Sequence, residues 1–223
     1  MSLKEFTLSQ GGAIMKKGMF GILFCIIFCL FVSGIAFGQD YPTKPINLLI
    51  GYAAGGSTDL TTRALASEVG KTLKQPVISS NQVGASGTLV LGRVKGEKTD
   101  GYTIYNAPTA NFCRIPHLQA VPYDPLKDFA FIMQYGLYQY GIIVGADSPW
   151  NTLEELLDHA KKNPNKIKYA TSGLGSGQHL VMEYLAKRYG IKWDHVPFAG
   201  GVQAVAALLG GHVQVVSQTP EWK

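Results

Sequence analysis

Two short loops hold most of the groups in this chain that can do chemistry: Tyr52-Ala53-Ala54-Gly55-Gly56-Ser57-Thr58-Asp59 and Ala170-Thr171-Ser172-Gly173-Leu174-Gly175-Ser176-Gly177. Each follows an apolar run that reads as a buried strand, each opens an amphipathic helix, and neither contains Lys or Arg. Glycine lets the backbone approach a ligand closely. The first free N–H groups of a helix point outward with the positive end of its dipole behind them. Both loops are therefore candidate anion cradles, and a pair of them suggests one ligand held between two α/β lobes. Taken singly, either loop is also an ordinary tight strand-to-helix turn. The clustering of Ser57, Thr58, Asp59, Thr171, Ser172 and Ser176 on the two tips the balance to binding.

Other chemistries fit less well. A phosphate-binding P-loop needs a Lys after its last glycine, and Gly51, Gly55 and Gly56 are neither spaced for it nor followed by one. Gly173 and Gly175 with Asp194 further on approach a dinucleotide fingerprint, but Gln178 stands where its third glycine belongs. A nucleophile elbow places glycines two residues either side of its serine, and around Ser176 those positions are Leu174 and Gln178. The five histidines, His117, His159, His179, His195 and His212, lack metal-site spacing, so no metal and no cofactor is expected. His159 and His212 read as solvated. His179, in the first turn of the helix after the second loop, either faces the cleft or packs there. Asp59 either caps its helix or also orders water and hydroxyls at the site. Tyr135, Tyr138 and Tyr140 read as core or hinge residues.

The elements that must position these loops alternate strand and helix, the signature of a parallel sheet. Ile46–Ile50 is a continuous apolar run of strand length. Leu60, Ala64, Leu65, Val69 and Leu73 then recur at helical spacing until Gln75-Pro76. Val77–Asn81 and Tyr102–Ala107 are further strands, with a short helix after Gly84-Ala85-Ser86-Gly87 and a turn at Asp100-Gly101. Two apolar runs, Phe131–Tyr135 and Tyr138–Val144, are expected to be strands crossing between lobes. Thr152 and Glu155 form a capping box for a helix carrying Leu153, Leu156, Leu157 and Ala160. Strand Ile167–Ala170 precedes the second loop. A helix with Leu180, Val181, Tyr184 and Leu185 follows it, then strand Trp193–Phe198, the Gly200-Gly201 turn, helix Val202–Leu209 and strand His212–Ser217. A parallel strand in such a pattern is ordinarily followed by a helix covering one face, so truncation at the C-terminus is expected.

Lys16-Lys17, the apolar stretch Phe20–Val32, and small residues at Ala36 and Gly38 have the zones of a secretory signal cleaved after Gly38, with Met15 the expected true start. The stretch falls short of the roughly 20 apolar residues that cross a bilayer. Removing residues 1–38 takes three of the 20 Lys+Arg and one of the 15 Asp+Glu, lowering the formal net charge from +5 to +3. That mild, unclustered charge argues against a nucleic-acid partner. Cys25 and Cys29 lie in the leader, so Cys113 alone remains and no intrachain disulfide is possible in the exported form.

In order along the chain, Tyr41-Pro42-Thr43-Lys44-Pro45-Ile46, Gly55-Gly56-Ser57-Thr58-Asp59 with Arg63, Asn81 with Gly84 and Gly87, Asp100-Gly101-Tyr102-Thr103, Tyr123-Asp124-Pro125-Leu126-Lys127-Asp128-Phe129, Gly173-Leu174-Gly175-Ser176-Gly177-Gln178-His179, Val196-Pro197-Phe198 and Leu208-Leu209-Gly210-Gly211 resemble the extracytoplasmic solute receptors of tripartite tricarboxylate transporters. One departure is Gln82-Val83, where the family usually has Arg-Pro after the asparagine. The resemblance implies a type II periplasmic-binding fold, two α/β lobes closing on a small organic carboxylate, with a signal peptide over 1–38, lobe one over 39–136 and lobe two over 137–223. It implies a grip by backbone groups and ordered water without an arginine clamp. Ala54, Gly55, Gly56, Thr58 and Asp59 act from lobe one and Gly175, Ser176 and Gly177 from lobe two, with Tyr52, Thr109, Asn111, Gly200 and Gln218 lining the cleft. Hinge flexing is expected at Gly136 and Gly145. The protein is then expected to be periplasmic, monomeric, non-enzymatic, and a donor of solute to membrane permease subunits. The part that returns to complete lobe one is expected to be missing. The alternatives are a secreted α/β enzyme or nucleotide-binding domain, or a truncated fragment without function.

Overall fold

A computed structural model describes residues 40–219; the expected signal segment and Pro220-Glu221-Trp222-Lys223 lie outside the described residues. Strand β1 (Ile46–Ile50) is the centre of a three-stranded parallel sheet of order β2-β1-β3, with β2 (Val77–Asn81) and β3 (Thr103–Asn106) on its flanks. Its apolar run follows from that place: Ile46, Leu48, Leu49 and Ile50 are all buried, with Asn47 alone exposed. Helix α1 (Ser57–Leu73) returns from β1 to β2 and ends at Lys74, which takes the left-handed conformation just before Gln75-Pro76. A 3-10 turn at Ala85–Gly87 leads into α2 (Thr88–Val94), and two single-turn helices, α3 (Ala110–Cys113) and α4 (Ile115–Leu118), follow β3.

The second sheet has order β4-β7-β5-β6, from β4 (Gly141–Val144), β5 (Lys168–Thr171), β6 (Asp194–Pro197) and β7 (Val215–Gln218). All its pairings are parallel except β4 with β7. Helices α5 (Leu153–Lys162), α6 (Gly177–Tyr189) and α7 (Gly201–Leu209) cover it. Neighbouring residues of a strand point to opposite faces, and β5 shows the result. Tyr169 packs with Leu156, Leu157, Ala160, Met182 and Trp193 in one core. Ala170 packs with Ala204, Ala207 and Val216 in another. The small residues at 170, 204 and 207 let α7 lie close to the sheet. The capping box is present with a one-residue offset: Thr152 Oγ1 accepts from Glu155 N (3.2 Å), while Glu155 Oε2 accepts from Asn151 N (2.7 Å).

The expectation of crossing strands over Phe131–Tyr135 and Tyr138–Val144 is corrected: residues 129–140 have no regular structure, and the second run becomes a strand only at Gly141–Val144. A strand needs an edge to pair with. Only the Gly141–Val144 stretch finds one, on β7. Phe131, Ile132, Met133 and Leu137 are instead exposed. Similarly, the last strand begins at Val215 rather than His212, which is exposed in the turn before it.

Candidate functional site

Every parallel strand sends its following loop to the same region, the edge where open α/β sheets place their ligands. The loops meet there. Ala53 N donates to Ala199 O across 3.4 Å. A methyl on Gly56 would sit 3.8 Å from Gly201 N, and one on Gly55 would sit 3.6 Å from Val202 Cγ2. Tyr138 OH donates to Thr58 Oγ1 (3.2 Å), and Arg114 Nε donates to Gly175 O (3.0 Å). The first glycine loop therefore meets the loop at 199–202, and the second is tied through Arg114 to the corner after α3.

In the first loop, Gly55 takes the left-handed region (φ +80°) that favours glycine. Asp59 fixes it there. Its buried carboxylate accepts from Gly55 N (2.9 Å), Asn81 Nδ2 (2.8 Å) and Arg63 Nε (2.9 Å), and Arg63 Nη2 closes the ring onto Asn81 Oδ1 (2.7 Å). Burial pushes this carboxyl up, but the Gly55 N–H, the Asn81 amide and the Arg63 guanidinium together outweigh it and hold the group below its usual range. Asp59 thus braces the loop from behind, and no side chain caps α1. Tyr52 and Asn111 are equally committed. Tyr52 OH donates to Ser86 O (3.0 Å) and Asn111 Nδ2 to the same oxygen (2.8 Å), with burial raising the phenol's pKa. Thr109 is exposed at the start of α3.

The second loop is braced by the helix it opens. Ser176 Oγ accepts from His179 N (3.2 Å) as the cap of α6, and Gly175 N, at φ +72°, donates to His179 Nδ1 (3.2 Å). His179 stacks on His195 (ring centroids 4.1 Å), His195 stacks on Tyr169 (5.0 Å), and Thr171 Oγ1 lies 2.7 Å from His195 Nε2. Burial, and then the neighbouring His179, push the His195 imidazole down to about 4. Burial lowers His179 as well, opposed by Glu183. His179 thus faces inward as a structural acceptor. Tyr140 lies against Gly177, where any side chain would collide with its ring.

The buried histidines set a pH dependence. Unfolded, each titrates near 6.5, and folded, each titrates lower. Between about pH 6.5 and 4 the unfolded chain therefore binds more protons and stability falls as pH falls. The melting temperature is expected to drop across that window. His195→Phe, which keeps a ring in the stack but removes its proton site, should flatten the drop. An unchanged profile in the variant would remove His195 from this role.

A third loop completes the region. Helix α7 starts at Gly200 with no side-chain cap, and its first residue, Gly201, lies against the side chain of Gln218 so closely that a Cβ there would overlap the amide. Gln218 Oε1 is 3.5 Å from Gln178 Nε2, and Ser172 Oγ donates to Gln178 Oε1 (3.1 Å). The first N–H groups of a helix have no acceptor within it. The uncapped N-termini of α1 and α7 are brought together at Gly56 and Gly201, while the N-terminus of α6 has Ser176 as its cap. Sequence reasoning paired the first loop with the second. It passed over Gly201, Arg114 and Gln178, although Gly200-Gly201 before an apolar helix carries the same glycine-then-helix signature as the first loop.

Residues 61–223 match the family model described as "Tripartite tricarboxylate transporter family receptor". The chain belongs to this receptor family. It is 41% identical over 184 residues to the "UPF0065 protein in gbd 5'region" of Cupriavidus necator, an alignment covering 82% of this chain and 56% of that protein. Among solved structures, the periplasmic binding protein BugD is similar at 34% identity and a TM-score of 0.72, covering 80% of this chain and 60% of BugD. MatC from Rhodopseudomonas palustris, solved with bound malate, is similar at 26% identity and a TM-score of 0.74, covering 80% of this chain and 61% of MatC. The receptor thus spans little more than half the length of the curated relative it matches. Its α/β architecture, with mostly parallel sheets in two lobes, is that of periplasmic binding proteins. No helix among the described residues is long and apolar enough to cross a membrane.

Proposed function

We propose that this receptor captures a small carboxylate in the periplasm, between a lobe over residues 39–136 and a lobe over 137–223, and hands it to the membrane permease subunits of a tripartite transporter. The observation that carries the reading is the apposition of the uncapped N-termini of α1 and α7 at Gly56 and Gly201. Two oriented sets of backbone donors favour an anion without a basic clamp. The pairing of β4 with β7 supports a lobe boundary near Gly136, because the second sheet begins just after it. The family description and the malate held by MatC support the solute class. The use of Ser176 Oγ as a helix cap supports a binding role for the second loop rather than a nucleophilic one.

Calorimetry against malate, succinate, citrate, benzoate and NAD tests this reading. Each hydrogen bond to a charged group contributes about 1.5–3 kcal/mol, so a handful supports micromolar dissociation constants for at least one carboxylate. Silence across all the carboxylates, with binding of NAD, would overturn the receptor reading in favour of a nucleotide site.

A further inference from the structure

Arg114 is a cation at the cleft that the backbone grip does not use. It stands at the corner between α3 and α4, and its Nε–H is spent on Gly175 O (3.0 Å), which fixes the guanidinium beside the second loop. Its charge reaches two further elements, opposing the burial that raises the phenols of Tyr52 on the first loop and Tyr140 on the segment before β4. Its guanidinium therefore joins the α3–α4 corner to the second loop. Arg63, by contrast, is held by Asp59 and Asn81. Among the described residues no carboxylate lies within ion-pair distance of Arg114, and its Nη1 and Nη2 have no hydrogen-bond partner.

Those two nitrogens are open to solvent, and their planar pair matches a carboxylate edge. Resting on the carboxylate-receptor reading above, we propose that Arg114 binds a second acidic group on the captured solute and so makes the cleft selective for dicarboxylates over monocarboxylates of the same length. One carboxylate is taken by the α1 and α7 N-termini and the other by Arg114. Arg114 is then the specificity-determining residue, and the Gly175 bond is what aims it.

Matched pairs test this: succinate against butyrate and adipate against hexanoate, titrated into the wild-type chain and into Arg114→Gln and Arg114→Lys. The wild type is expected to bind the better diacid about ten- to a hundredfold more tightly than its monoacid. Arg114→Gln should lower diacid affinity well beyond monoacid affinity and so remove that ratio, and Arg114→Lys, which keeps the charge, should restore part of it. Equal loss for both members of a pair in Arg114→Gln would reduce Arg114 to a latch on Gly175 and overturn the proposal. So would a wild type indifferent to the second carboxylate. Failure of every carboxylate to bind the wild type would instead overturn the receptor reading itself.

Discussion

Gly56→Val is expected to weaken carboxylate binding by about 10²–10⁴-fold while leaving the fold in place. Gly56 is extended (φ −82°, ψ 168°), a conformation open to any residue, and a Cβ there would meet Ala53 O at 3.7 Å and Gly201 N at 3.8 Å, ordinary contacts. The backbone therefore has no reason to move. The two γ-methyls of valine, however, would occupy the gap between the N-termini of α1 and α7 and displace an anion from both. Losing two hydrogen bonds to a charged group costs about 3–6 kcal/mol, and every 1.4 kcal/mol is tenfold in affinity. The melting temperature should fall by no more than about 2–4 °C, the effect of about 1 kcal/mol in a chain of this size. Calorimetry beside a thermal melt reads both. Unimpaired binding by Gly56→Val would take the gap between α1 and α7 out of the mechanism.

Asp59→Ala acts on the brace behind that gap and is expected to cost about 2–4 kcal/mol of stability, measured by urea unfolding at pH 7. The substitution strands the Gly55 N–H and one of the two Asn81 amide protons, while the other keeps Tyr52 O (3.0 Å). Arg63, about half exposed, loses less because water screens it. Freed from its clamp, the left-handed Gly55 no longer holds the first loop in shape, so affinity should fall with stability. The sign of the pH effect follows from the depressed carboxyl. Unfolded, an aspartate titrates near 3.9, and folded, Asp59 titrates below its usual range. Its contribution is fully present above about pH 4 and is lost as pH falls through the folded value. Wild type should therefore lose stability below about pH 4, in a step separate from the histidine window, and Asp59→Asn should make that step smaller, with Asp124 and Asp128, whose carboxyls are also held low by hydrogen bonds, supplying the rest. A cost under about 1 kcal/mol for Asp59→Ala would show that the network is not what shapes the loop.

Much of the scaffold was legible in the residues because it is written locally. Ile46–Ile50 reads as a buried central strand from its four apolar residues in five, and the Thr152/Glu155 pair announces the start of α5. The glycine loops were legible as turns for the same reason. What they do with their donors was not, because the partners are distant in sequence: Asn81 reaches Asp59, Gln218 lies under Gly201, and His195 stacks on His179. Arg114 carries no motif at all, sitting between two four-residue helices, and its place beside the second loop is set by the distant carbonyl of Gly175. The apolar runs after Phe129 misled because hydrophobicity signals burial or pairing without supplying a neighbour to pair with.

The bond from Gly175 N to His179 Nδ1 gives the molecule a native reporter. With Nδ1 accepting a main-chain proton, the imidazole is locked as the tautomer that carries hydrogen on Nε2. The two ring nitrogens then have well-separated ¹⁵N resonances. Any guest that shifts the second loop changes that splitting, so occupancy becomes visible by NMR of the ¹⁵N-enriched protein without a dye.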